Sequence, residues 1–120
     1  MARERAHHGL LVWREAMNLV RDVYDMTSCF PQDEKFGLIS QMRRAAVSVP
    51  ANISEGAARN SAKEFMNFLY IARGSLSELE TEYLIARDLG YPVEGKAVQA
   101  RIDKTFTLLA GLIRKLKEKN

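Results

Sequence analysis

Residues 61 to 90 read SAKEFMNFLYIARGSLSELETEYLIARDLG, and no other stretch of the chain is as plainly helical. Phe65, Leu69, Ala72, Leu76, Leu79, Tyr83 and Ala86 recur at alternating spacings of four and three, which draws one apolar seam down a helix and suits packing at a shallow crossing angle. Ser61-Ala62-Lys63-Glu64 has the form of a capping box, in which Ser61 and Glu64 satisfy each other's backbone donors. Gly90 offers the left-handed stop, with Pro92 just beyond. The reading is a helix over about 61–89.

Periodicity of the same kind extends to both sides, and no alternating β-branched run suggests a strand. A first helix, about 10–28, carries Val12, Ala16, Leu19, Val23 and Met26 and must stop near Phe30-Pro31. A second, about 33–58, opens at Asp33 and places Phe36, Ile39, Met42, Ala46, Val49 and Ile53 on one side. Pro50 falls inside that pattern; it removes one backbone hydrogen bond and crowds the carbonyl of Ala46, so a kink is expected rather than a break. A fourth, about 93–117, buries Val98, Ile102, Leu109, Ile113 and Leu116. Short connections between helices of similar length favour antiparallel neighbours. The expected fold is all-α: one antiparallel up-down four-helix bundle over 1–120, with a proline kink in helix 2.

A chain of 120 residues, 47% hydrophobic and 28% charged, can bury one core without staples and is too apolar to stay disordered. The first eight residues lack a signal-peptide core, and no stretch is apolar enough to span a membrane. The lone Cys29 cannot form an internal disulfide, and a buried or inert thiol is expected there. The cytoplasm is the expected compartment. Net charge is only +3, but its distribution is uneven. Lys63, Arg73 and Arg87 face Glu64, Glu78, Glu80, Glu82 and Asp88 in the third helix, whereas the last segment carries Lys96, Arg101, Lys104, Arg114, Lys115, Lys117 and Lys119 against Asp103 and Glu118.

Two helices have more apolar surface than one core can use. Trp13, Met17, Val20 and Tyr24 form a second stripe on the first helix, and Phe68, Tyr70, Ile71, Leu84 and Ile85 lie outside the main seam of the third. Such faces need cover, and self-association is the expected source; the alternative is a wide core stripe with a few exposed aromatics. Gly74, costly inside a helix, is easier to understand where another backbone comes close, though local flexibility would also explain it. Trp13, Met17, Val20, Tyr24, Phe68, Tyr70 and Gly74 are therefore the candidate oligomer interface.

No catalytic constellation is visible, so no enzyme, cofactor or metal site is expected. His7 and His8 are the only histidines, which leaves no helical Glu-x-x-His ligand pair. Glu78, Glu80 and Glu82, two apart, point to different sides of a helix and read as a solvated or ion-paired face. No Gly-x-Ser-x-Gly or Gly-rich phosphate loop is present. One polar stripe, Gln41, Arg44, Ser48, Asn52, Glu55 and Arg59, runs along the second helix. It is either a solvent-facing side that also answers the carbonyl freed by Pro50, or a recognition surface in which Arg43, Arg44 and Arg59 hold phosphates or an acidic partner.

These residues together resemble a known family. Trp13 with Ala16 and Leu19-Val20, Phe30-Pro31, Glu34-Lys35-Phe36-Gly37-Leu38, Ser40-Gln41, Arg43-Arg44-Ala45-Ala46, Ser48, Pro50-Ala51-Asn52-Ile53, Glu55-Gly56, Lys63-Glu64-Phe65, Phe68-Leu69, Ala72, Gly74-Ser75 and Glu78-Leu79 look like the 23S rRNA intervening-sequence proteins. The chain departs from that pattern at Ala57-Ala58 and at His7-His8. The resemblance implies an up-down bundle. With the similar accessory proteins of diversity-generating retroelements, it implies a ring-like homopentamer and basic surfaces that bind nucleic acid and a reverse transcriptase. Arg43, Arg44 and the basic fourth helix match those surfaces.

The expected function is a non-enzymatic homo-oligomeric bundle that binds structured RNA or DNA through Arg43, Arg44, Arg59, Lys104, Arg114, Lys115, Lys117 and Lys119. The rival is a protein-interaction scaffold in which the same charges pair between subunits or with a protein partner. No membrane partner is expected.

Overall fold

The computed structural model describes residues 5–94 and 97–119, with the backbone alone for His8 and Gly9. Lys96, counted above among the basic residues, and the side chain of His8 lie outside this description. Four α-helices make up the described chain: α1 Leu11–Thr27, α2 Leu38–Ala57, α3 Ala62–Asp88 and α4 Val98–Glu118, with 3₁₀ turns at Ala6–Gly9 and Gln32–Glu34. Each helix packs on the two that neighbour it in a ring α1–α2–α3–α4, and no diagonal pair packs closely. Between neighbours the contacts run in opposite directions. Ser48 meets Ser75 while Gly56 meets Phe68 and Phe65; Leu10, Leu11 and Val12 lie against Leu112, Arg114 and Lys115; Gln99 reaches back to Glu80.

The seam residues form the core. Ala16, Leu19, Val23, Met42, Ala46, Val49, Ile53, Leu69, Leu76, Leu79, Ile102 and Leu109 are inaccessible to water. Burying each leucine or isoleucine is worth about 1.5–3 kcal/mol, so the interior of the bundle is its main source of stability. α2 continues through Pro50, itself buried, to Ala57. Gly56 lets α2 and α3 approach closely, since a Cβ there would lie 2.7 Å from Phe68 Cβ and 2.9 Å from Phe65 Cδ1.

Both α2 and α4 start later than the sequence pattern suggests. α2 begins at Leu38, not Asp33, and Phe36 sits in the preceding turn at 89% exposure instead of in the core. The carboxylate of Glu34 reaches forward to accept from the Leu38 N–H (3.0 Å), so the 3₁₀ turn caps the helix from outside. Tyr91 donates its hydroxyl to the same carboxylate at 2.7 Å and packs its ring against Phe30, 5.3 Å between centroids. Held by these two bonds, the Leu38 bond first, Glu34 has a pKa below its ordinary value of 4.5. α4 starts at Val98 rather than Val93; Val93 is still buried, plugging the core from the loop. At the start of α3, Ser61 Oγ accepts from the Glu64 N–H at 3.1 Å, but the Glu64 carboxylate accepts from the Ser61 hydroxyl (3.4 Å) rather than from its backbone. Gly90 has φ +81°, the left-handed stop that its position predicts. Cys29 is exposed, not buried, because it follows the last turn of α1 on the outside of the link to Phe30.

Candidate functional site

Antiparallel packing gathers basic residues at one end of the bundle. One end collects the start of α1, the α2–α3 turn and the end of α4, bringing Arg59 and Lys63 to the same end as Arg114, Lys115, Lys117 and Lys119. The last four are exposed and make no ion pair among the described residues. The opposite end mixes signs: Asp22, Asp25, Asp33, Glu34, Asp88 and Glu94 stand among Arg21, Lys35, Arg43, Arg87 and Arg101. A field of one sign at one end is what a polyanion would meet first.

Not every cation proposed from the sequence is free. Arg43 is held between α1 and α2: Nε donates to Thr27 Oγ1 at 2.9 Å, Nη2 donates to the Tyr24 carbonyl at 3.3 Å, and the guanidinium lies 4.4 Å from the Tyr24 ring centroid. It pins two helices together. Arg59 pairs with Glu55 at 3.1 Å and covers the Phe68 ring, and Lys104 is 3.8 Å from Glu15. Arg44 is exposed and unpaired among the described residues. Sequence reading missed Arg101, which donates to Asp22 (2.6 Å) and to the buried Glu15 (3.1 Å) and so ties α4 to α1. Its signal was weak, because ion-pair partners this far apart in sequence share no local spacing.

Two grooves flank α2. The first, about 480 Å³, lies where α1 meets α2 and is lined by Tyr24, Phe36, Ile39 and Val47 with Lys35, Arg43 and Arg44. The second, about 250 Å³, lies between α2 and α3 and is polar: Gln41, Arg44, Ser48, Ser75, Glu78 and Glu82 line it. The stripe read from the sequence is thus divided. Ser48 bonds Ser75 at 2.8 Å and so belongs to the α2–α3 contact, and Asn52, half-buried, donates to the Ser48 carbonyl of its own helix at 2.8 Å; Gln41, Arg44, Glu55 and Arg59 are exposed. Asn52 does not serve the carbonyl of Ala46 that Pro50 leaves free.

Glu82 departs most from expectation. It is 6% exposed, and its Oε1 is buried with no hydrogen-bond partner. Burial, with repulsion from Glu78, pushes its pKa up to about 7. The solvated acidic face expected for Glu78, Glu80 and Glu82 is therefore corrected: Glu78 is exposed, Glu80 accepts from Gln99 at 2.9 Å, and Glu82 faces inward. A usable signal existed. Glu82 lies three residues after Leu79 and four before Ala86, on the buried stripe.

The candidate interface residues divide in the same way. Met17, Tyr24 and Tyr70 are exposed, Trp13, Val20 and Phe68 are half-buried against the bundle, and a Cβ at Gly74 would meet nothing within 4 Å. Trp13 also meets the edge of the His7 ring at 5.0 Å. Among the described residues no group of His, Cys, Asp and Glu could hold a metal ion, and no helix is long and apolar enough to cross a membrane.

Fold and surface together define a small all-helical bundle with one charged end and unpaired lateral faces. The chain belongs to the 23S rRNA-intervening sequence protein family, whose model matches residues 8–111. No curated protein matches it.

Proposed function

We propose that the chain is a non-enzymatic, self-associating bundle of the cytoplasm that binds structured RNA or DNA through its basic end. The observation that carries this reading is the convergence of Arg114, Lys115, Lys117 and Lys119, unpaired among the described residues, on the end that also holds Lys63. Exposed lysines and arginines of this kind contact phosphates and displace counterions, with little reading of bases. The family description, which names an intervening sequence of 23S rRNA, supports a nucleic-acid context. Self-association is supported by the exposure of Met17, Tyr24, Ile71 and Ile85, and a ring-like pentamer is the assembly that the sequence resemblance suggests.

The test is fluorescence anisotropy with a labelled RNA hairpin and a matched DNA duplex, at low and near-physiological salt, with the mass of the assembly followed in parallel. Binding should weaken steeply with salt, and replacing Arg114, Lys115, Lys117 and Lys119 by glutamine should abolish it while leaving the mass unchanged. No binding at low salt by an intact assembly would overturn the nucleic-acid reading. A second reading, a protein-interaction scaffold, is favoured by Phe36, an aromatic ring exposed at the mouth of the α1–α2 groove. Loss of mass in the four-glutamine variant would support that reading instead.

A further inference from the structure

The groove between α2 and α3 contains two carboxylates, Glu78 and Glu82, and one guanidinium, Arg44. With all three ionised, one negative charge is left over, beside a carboxylate, Glu82, whose buried Oε1 has no hydrogen-bond partner. A buried carboxylate in that condition is costly unless a cation is brought to it. A single monovalent cation would balance the groove. A guanidinium suits it best, since its donors can serve two carboxylates and the Ser48 and Ser75 hydroxyls together.

Arg21 is the cation that fits the surroundings. It is exposed, makes no ion pair or hydrogen bond among the described residues, and lies on α1 between Met17 and Tyr24, both exposed. Beside the groove, α3 offers the complementary surface: Ile71 and Ile85 are exposed above and below Glu78, and Gly74 leaves open space where a neighbouring backbone could approach. The backbones of α1 and α3, the diagonal pair, do not come close within one bundle, and Arg21 is exposed on α1, so it cannot supply its own groove.

We propose that the α2–α3 groove receives Arg21 from a second copy of the chain, its guanidinium seated between Glu78 and Glu82 while Met17 and Tyr24 pack on the α3 face bounded by Ile71 and Ile85. This rests on the self-association proposed above and names the contact that drives it. The contact joins two different faces, so it is head-to-tail, each copy giving one arginine and receiving another. The groups facing Glu82 are Gln41, Arg44 and Ser48 from α2 and Ser75 and Glu78 from its own helix. Alone, the subunit relieves Glu82 with a proton near neutral pH; docked, it relieves it with the partner's guanidinium. Assembly therefore releases a proton and strengthens as pH rises.

Sedimentation of the full chain at about pH 6 and about pH 8 tests this, with assembly expected to be about tenfold tighter at the higher pH. Arg21→Gln and Glu82→Gln should each weaken assembly at about pH 8 by about tenfold or more and remove most of the pH dependence, and the double variant should be no weaker than either alone. Circular dichroism melts confirm that each variant folds. In a Cys29→Ser background, Arg21→Cys with Glu78→Cys should form disulfides between chains on oxidation. An assembled wild type indifferent to Arg21→Gln, one weakened instead by Arg44→Gln, or one that tightens on acidification overturns this contact alone. A wild type that stays monomeric throughout overturns the self-association reading with it.

Discussion

Glu82 and Gly56 carry the most specific consequences of any single residues. The folded pKa of Glu82, about 7, lies above its ordinary 4.5 because burial disfavours the charged form. The sign follows from linkage: its contribution is fully favourable below about pH 4.5 and is lost as pH rises through about 7. Glu82→Gln keeps the shape and removes the charge. In the dissociated subunit, at low concentration, the variant should melt close to wild type in acid. It should melt several degrees higher at about pH 8, reflecting a relief of about 1–3 kcal/mol. At Gly56, a methyl group would press on Phe68 Cβ and on the Phe65 carbonyl 3.2 Å away. Gly56→Ala should therefore destabilise the bundle by about 1–3 kcal/mol, readable as a lowered urea midpoint with an unchanged slope. A glycine near a helix end is ordinarily read as a stop. The sequence shows where Gly56 lies but not the two rings it admits, because those belong to another helix.

At the scale of the elements, the seam of α3 and the buried positions of α1 and α4 were legible because one face of each helix does one thing. Helix starts were less legible for a physical reason. Asp33 looks like an N-cap and Phe36 continues the apolar spacing, yet the cap is made by Glu34 reaching forward to Leu38 from outside the helix. Tertiary bonds of this kind leave no periodic trace. Gly37 makes the reach possible, since a Cβ there would stand 2.7 Å from Glu34 Oε1. The mid-helix Gly74 behaves differently from Gly56. With open space around it, Gly74→Ala should stabilise the dissociated subunit by about 1 kcal/mol through helix propensity alone. Under the self-association proposed above, the same substitution should raise the dissociation constant, because the added methyl group stands where a neighbouring helix would seat. A melt at low concentration and a sedimentation titration read the two effects separately.

At the scale of the molecule, the four-helix architecture was readable from spacing and connection length, but its electrostatic polarity was not. The basic fourth helix stood out along the chain. That its C-terminal cations join Arg59 and Lys63 of the α2–α3 turn, while the far end mixes both signs, follows only once the helices are folded against one another. The candidate cations likewise divided in space: Arg43 is consumed in holding α1 to α2, whereas Arg114 to Lys119 remain available.

The bond from Tyr91 to Glu34 joins positions 57 residues apart and straps the α3–α4 connection to the α1–α2 connection, with Val93 tucked into the core beside it. Exchange of α4 between two copies would have to open that connection as a hinge, breaking the hydroxyl–carboxylate bond and pulling Val93 into water. Domain swapping is thus opposed at the hinge itself, so the self-association proposed above would join closed bundles, surface against surface, without trading helices.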